Sequence, residues 1–160
     1  WIGGYEDRWN FNFLSNCLLN DFSSMFIGTL KRGGSGVTLW NLMLDDKRGP
    51  YSMHDGSCKT CYGGVTINSA DYKTIVKNSH WFDCAHASAV VKPGAKMMSY
   101  EGFKLPSGME MLMYLNPDNT VGVIICNKNS AEQRVVFVNT KHSVSFMVPA
   151  KCVASLIWQE

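Results

Sequence analysis

The chain has 160 residues, and 15 Lys and Arg against 13 Asp and Glu give it a formal net charge of +2. A content of 46% hydrophobic and 18% charged residues excludes a disordered chain. The even charge balance excludes nucleic acid or an anionic membrane as the main partner, and no apolar run approaches the roughly 20 residues of a transmembrane segment. The length suits one medium domain or the end of a longer protein. A chain that begins at Trp1, with neither an initiator Met nor a leader, is expected to be a processed product or an excised piece.

The first 92 residues contain helical and strand patterns in turn. Apolar residues at helical spacing predict an amphipathic helix over about 9–30. The nearly continuous apolar run Val37–Leu44 predicts a strand buried on both faces, as in a parallel sheet. A long loop over 45–64 comes next. A second helix is predicted to begin near Ser79 and to end at Pro93-Gly94.

Beyond residue 92 the pattern changes to short apolar runs separated by turn residues such as Gly, Pro, Asn and Asp. Six strands at this spacing predict an antiparallel β-sandwich or a small barrel. The predicted strands are Ala95–Glu101, Met109–Leu115, Val121–Asn127, Arg134–Val138, Val144–Val148 and Val153–Trp158.

The predicted strand Val37–Leu44 has no candidate neighbour of its own kind in the sequence. A buried parallel strand needs parallel neighbours on its edges, because its main-chain groups must pair away from water. The pattern therefore indicates that these neighbours belong to residues outside this sequence.

Three segments carry a family resemblance: WNLMLDDKRGPY at 40–51, SCKTCYGGV at 57–65 and HWFDCAHASAVVKPGA at 80–95. Together they resemble the carboxy-terminal part of glycoside hydrolase family 30, the family of glucosylceramidases and endo-β-1,6-glucanases. The resemblance implies an α/β plus all-β fold, in which the last part of a (β/α)8 TIM barrel precedes an antiparallel β-sandwich. Residues 1–92 would be the incomplete end of the barrel, and residues 93–160 the sandwich.

The resemblance also implies a retaining glycosidase with two catalytic Glu side chains. The acid/base would follow the fourth barrel strand. The segment Trp1-Ile2-Gly3-Gly4 resembles the tail of the motif that carries the nucleophile, which would lie about two positions before Trp1. We therefore expect no catalytic residue in this chain, and no activity without the upstream barrel.

The partners implied are a carbohydrate substrate, either a glucosylceramide-like β-glucoside or β-1,6-glucan, and the missing amino-terminal barrel portion. No cofactor and no metal are expected. Family resemblance favours a secreted, periplasmic or lysosomal location. The alternative function is a non-catalytic carbohydrate-binding or structural β-sandwich module.

Trp40, Asn41, Trp1 and Tyr62 are the candidate substrate-binding residues. Barrel active sites form at the carboxyl ends of the strands, and Trp40 lies toward that end of the predicted strand. An indole face can stack on a sugar ring, and an Asn side chain can bond its hydroxyl groups. Without the resemblance, barrel core for Trp40 and a buried hydrogen bond for Asn41 are the ordinary interpretations. The resemblance places Trp40 in the sugar pocket.

Cys58 and Cys61 admit several interpretations. They could close a disulfide that stiffens the loop, form a redox pair, join His54 as zinc ligands, or remain reduced thiols. No thioredoxin-like pattern surrounds them, and a structural zinc site takes four ligands. A disulfide is the preferred interpretation. His86, inside the second predicted helix, is interpreted as a hydrogen-bonded packing residue.

Overall fold

The computed structural model describes residues 11–54, 56–99, 104–138 and 143–159. The first predicted helix is confirmed, although its hydrogen-bond period changes along its length. Helix α1 spans Phe11–Asp21, a π-helical segment spans Phe22–Ile27, and α2 spans Gly28–Leu30. Within the π-helical segment, the Ser24 hydroxyl donates to the carbonyl oxygen of Asn20 at 2.6 Å. Such a side-chain bond competes with the main-chain ladder of a helix.

The predicted strand Val37–Leu44 is formed only at its end. Strand β1 spans Met43–Asp45 and pairs in parallel with β2, Val65–Ile67, which pairs antiparallel with β3, Ile75–Lys77. The prediction is wrong for residues 37–42, because a strand needs a hydrogen-bonded neighbour along its length. Within the described residues no strand pairs with this segment, and only the carbonyls of Asn41 and Leu42 accept main-chain N–H groups there. The β2–β3 pair has no counterpart in the sequence predictions, since three-residue strands are too short to show a period.

Helix α3 spans Ser79–Val90, close to its predicted bounds. Asn78 occupies the N-cap position, but its side chain makes no capping hydrogen bond. Its amide group instead donates to the carbonyl oxygen of Gly63 and to the Thr66 hydroxyl, both at 2.9 Å. The start of the helix is therefore bonded to the chain that enters β2.

Five of the six strands predicted beyond residue 92 are confirmed within one residue of the predicted bounds. Of the predicted strand Ala95–Glu101, only Lys96–Met97 is strand among the described residues. Four of the six strands form an antiparallel sheet in the order β4-β5-β6-β9, and β7 pairs with β8. Among the described residues, no helix is long and apolar enough to cross a membrane. The strands are β4 Lys96–Met97, β5 Met109–Leu115, β6 Thr120–Asn127, β7 Gln133–Val138, β8 Ser143–Val148 and β9 Cys152–Gln159.

The four-stranded sheet has a hydrophobic core on each face, because alternate side chains of its strands point to opposite sides. The helix-side core contains Leu19, Phe22, Phe26, Ile27, Val90, Leu112, Tyr114, Ile124, Cys126 and Val153. The sandwich core contains Met109, Met111, Met113, Val121, Val123, Ile125, Val135, Phe137 and Val148. The sheet is thus the middle layer, between the helices and the β7–β8 pair.

Candidate functional site

The segment that leads into β1 carries two of the predicted sugar-binding residues. Trp40 is 80% exposed and Leu42 is 82% exposed, whereas Val37 and Leu39 pack against the helix-side core. Alternate residues therefore face the core and the outside, and the Trp40 ring lies on the outer side. An accessible indole face is what a stacking platform for a sugar needs.

Asn41 is held through its main chain. Its carbonyl oxygen accepts the Gly64 N–H at 2.8 Å, and the neighbouring carbonyl of Leu42 accepts the Val65 N–H at 3.1 Å. The Trp40–Asn41 peptide bond is cis. These contacts fix the position of the Asn41 backbone, while its half-buried side chain makes none of the hydrogen bonds found among the described residues.

Glycine at position 63 allows the loop to lie directly on β1. A Cβ at Gly63 would sit 2.7 Å from the Cα of Met43 and 2.8 Å from its nitrogen, closer than non-bonded atoms approach. The Gly64 carbonyl also accepts the main-chain N–H of Asn78 at 2.9 Å. The N-cap residue of α3 therefore holds the loop that lies against β1.

Tyr62, the third predicted sugar contact, is buried. The Arg48 guanidinium carbon lies 5.5 Å from the centre of its ring, a distance typical of a cation–π contact. Arg48 reaches this position from a tight turn in which the Gly49 N–H donates to an Asp45 carboxylate oxygen at 2.6 Å. A sugar contact by Tyr62 remains a prediction.

The acidic pair that follows β1 has a structural role. Asp45 closes the turn just described, and a carboxylate oxygen of Asp46 accepts the Ser69 N–H at 2.6 Å. The hydrogen bonds from Ser69 lower the pKa of Asp46 below its usual value. Both carboxylates therefore organise loops at the end of the strand.

Cys58 and Cys61 form a disulfide, with their Cα atoms 5.6 Å apart. A disulfide has no thiolate to offer, so this pair and His54 do not compose a zinc site. The loop that the bond closes precedes Tyr62 directly. Trp1, the remaining predicted substrate contact, lies outside the described residues.

A buried cluster of Asp21, His80 and Asp83 is absent from the sequence predictions. One potential ligand atom from each residue lies within 4.8 Å of those from the other two. Burial, and then the nearby Asp21, raise the pKa of Asp83 to about 8. The spacing of His80 and Asp83 on one helical face was visible in the sequence, but Asp21 comes from a different helix.

The strands beyond residue 93 match a known family of protein domains. Residues 94–156 match the model of the glycosyl hydrolase family 30 beta sandwich domain. This region is similar to the family 30 sandwich domain. The match covers β4 to β8 and most of β9, so all the candidate substrate-binding residues precede it.

Curated relatives with similar sequences are glucanases. The chain is 34% identical over 104 residues to the endo-1,6-beta-D-glucanase neg1 of Aspergillus fumigatus, covering 63% of this chain and 20% of the relative. It is 32% identical over 111 residues to the endo-1,6-beta-D-glucanase BGN16.3 of Trichoderma harzianum, covering 68% and 22%. The chain thus spans about a fifth of the length of these relatives.

Solved structures resemble the chain beyond residues 94–156. The endo-beta1,6-glucanase BT3312 matches with a TM-score of 0.82 and 38% identity, over 89% of this chain and 31% of that one. SrfJ from Salmonella typhimurium matches with a TM-score of 0.78 over 99% of this chain and 33% of that one. At 23% identity, the second likeness concerns the fold alone.

Proposed function

We propose that this chain is the carboxy-terminal segment of a retaining β-glycosidase that hydrolyses β-1,6-glucan internally. The observation that carries the proposal is the 38% identity to BT3312 across most of the chain, joined by the two fungal relatives. All three are named as endo-β-1,6-glucanases. Of the two substrates implied by the family resemblance, these similarities favour the glucan over the glucosyl lipid.

The two catalytic Glu side chains would lie in an upstream barrel. A retaining glycosidase holds its two carboxyl groups about 5–5.5 Å apart on either side of the bond it cleaves. Asp21 and Asp83 bring carboxylate oxygens within 4.8 Å of each other, but both are buried and cannot flank a sugar. The proposal therefore assigns the chemistry to the barrel, and to this chain one wall of the sugar site.

Trp40 would supply that wall. In a complete barrel, the side of residues 37–42 that carries Trp40 would face the carboxyl ends of the neighbouring strands. Active sites of such barrels form at these ends. A ring stacked on a sugar can assist both binding and reaction as the sugar flattens toward an oxocarbenium-like transition state. Leu42, exposed on the same side, provides a matched comparison because it is apolar but cannot stack.

We also propose an extracellular or other oxidising location. The Cys58–Cys61 disulfide supports this assignment, because disulfides persist in such compartments and are rare in the reducing cytosol.

The test uses the complete enzyme with linear β-1,6-glucan and glucosylceramide as substrates. We expect glucan oligosaccharides of mixed length, little lipid hydrolysis, and no turnover by the 160-residue chain alone. Trp40→Ala should lower kcat/KM at least roughly tenfold, or about 1.4 kcal/mol, with an unchanged Tm. Leu42→Ala should leave kcat/KM near the wild-type value.

Four results would contradict the proposal. Preferred hydrolysis of the lipid would reject the substrate, and turnover by the isolated chain would reject the upstream catalytic residues. A large loss of Tm in Trp40→Ala, with normal activity per folded molecule, would assign the ring to packing. A complete enzyme that binds glucan but hydrolyses nothing would favour a non-catalytic carbohydrate-binding module.

A further inference from the structure

The cluster of Asp21, His80 and Asp83 lies where the end of α1 meets the first turns of α3. His80 and Asp83 are three residues apart, so one face of α3 carries both. Asp21 approaches that face from α1, with a carboxylate oxygen 3.4 Å from Nε2 of His80. The two helices thus bring two carboxylates and one imidazole together.

All three side chains are buried without adequate partners. Asp83 is completely buried, and His80 and Asp21 are 5% and 8% exposed. Within the described part of the chain, both nitrogens of His80, both carboxylate oxygens of Asp83 and Oδ2 of Asp21 make no hydrogen bond. Buried polar groups are almost always satisfied, because an unpaired one loses its bonds to water without replacement. The nitrogen and oxygen atoms of this cluster therefore need a further bonding partner.

We propose that Asp21, His80 and Asp83 bind a divalent transition-metal ion, with zinc as the best match. Two carboxylates balance its charge, and carboxylate oxygen and imidazole nitrogen are ordinary zinc ligands. Ligand atoms around a tetrahedral zinc are roughly 3.3 Å apart. The 3.4 Å between Asp21 and His80 already matches that spacing, and ligand atoms of all three residues lie within 4.8 Å of one another.

The donor set disfavours the common hard cations. Calcium takes six to eight oxygen ligands, and magnesium keeps an octahedral shell with several waters. An imidazole donor in a buried site suits neither ion. No substrate can reach a cluster buried between two helices, so the ion would serve to join α1 to α3. With three protein ligands, a water molecule would take the fourth position of a tetrahedral zinc. This site revises the sequence-based expectation that the chain binds no metal.

The test measures zinc binding by the full chain carrying Cys84→Ser, which removes the exposed thiol beside Asp83. The protein is stripped with a chelator and dialysed against zinc, and bound zinc and Tm are measured. We expect one zinc per chain and a Tm increase of roughly 5–10 °C at free zinc a hundredfold above Kd. Cobalt in place of zinc should give visible absorption bands.

Asp83→Asn should abolish the bound zinc and the Tm increase, since an amide replaces a carboxylate of nearly the same shape. It replaces a buried ionisable group by a neutral one and is therefore expected to fold, which the Tm of the metal-free variant verifies. Glu132→Gln, which alters an exposed carboxylate, should retain both effects. His80→Gln should remove the cobalt bands.

Failure of the parent chain to bind zinc would overturn the proposal. So would equal zinc binding and an equal Tm increase in Asp83→Asn, because the ion would then lie elsewhere. Neither result bears on glucan hydrolysis, so this proposal and the proposed function can fail independently.

Discussion

His86 links α3 to β9 by two hydrogen bonds with Ser155. The Ser155 hydroxyl donates to the main-chain oxygen of His86 at 3.2 Å, and the same hydroxyl oxygen lies 2.8 Å from Nδ1 of the ring. Because the hydroxyl proton is used on the carbonyl, Nδ1 is the donor in the second bond. The edge of the ring also faces Phe22, with centroids 5.9 Å apart. The structure confirms the interpretation of His86 as a hydrogen-bonded packing residue.

Burial lowers the pKa of His86, so we expect acid to destabilise the fold through this residue. Below its usual pKa of about 6.5, the unfolded chain binds a proton that the folded chain does not. The free energy of unfolding should therefore decrease as the pH falls through that value. His86→Gln, which cannot titrate but can still donate to Ser155, should show a shallower decrease in urea unfolding between about pH 7 and pH 5.

The control is His54→Gln, which makes the same substitution at an exposed histidine. Comparing variants with the parent chain isolates His86 from the other groups that titrate, Asp83 among them. Identical slopes for the parent chain and His86→Gln would contradict the prediction.

At the scale of elements, the contact of α3 with β6 depends on one glycine. A Cβ at Gly122 would overlap the carbonyl oxygen of Val90 and lie 2.9 Å from its carbonyl carbon. Asn116, in the turn before β6, bonds the same end of the helix: its amide donates to the Val90 oxygen, and its side-chain oxygen accepts the Lys92 N–H, both at 2.9 Å. The end of α3 is therefore fixed directly against the sheet.

Gly122→Ala should destabilise the chain by about 1–3 kcal/mol, the usual effect of overpacking a close-packed core. The obstructing atoms belong to the main chain and cannot move aside as a side chain could. Gly36→Ala is the matched control, since a Cβ there would meet nothing within 4 Å. Denaturant unfolding of both variants measures the difference. Equal stabilities would show that α3 can shift away from β6 without loss.

At the scale of the whole molecule, the sheet is covered on both faces, and the cover comes from different parts of the chain. The sandwich core is contained within residues 93–160, whereas the helix-side core draws Leu19, Phe22, Phe26, Ile27 and Val90 from residues before 93. A further polar link crosses the same boundary, from the Lys128 ammonium to the Ser23 hydroxyl at 2.9 Å. The sequence pattern predicts a boundary at residue 92, but the helix-side core contains residues from both sides of it.

We therefore expect residues 93–160 alone to expose an apolar sheet face and to aggregate or bind a hydrophobic dye. Large exposed apolar patches lead to association. Ile124→Thr alters that face, so it should reduce dye binding by the fragment, yet destabilise the full chain by about 1–3 kcal/mol. Val123→Thr, on the opposite face, should destabilise both. A monomeric fragment that binds no dye would contradict this prediction.

Local patterns determined what the sequence could predict. The strands β5 to β9 were predictable because apolar alternation and turn residues are properties of adjacent positions, and α1 and α3 because their apolar residues recur at helical spacing. The exposed position of Trp40 was not predictable in this way, because the run Val37–Leu44 is nearly continuously apolar. The family resemblance rests on three short segments and needed no tertiary information.

Only the tertiary structure decided features that depend on residues distant in sequence. The limits of β1 depend on whether another segment offers a paired strand, and within the described chain no strand pairs with residues 37–42. The burial of Tyr62 depends on Arg48 and on the loop that the disulfide closes. The Asp21–His80–Asp83 cluster exists because two helices pack on one sheet face. Spacing in the sequence cannot reveal contacts between residues of different helices. Which helix faces pack together is set by hydrophobic burial, and that force is non-directional.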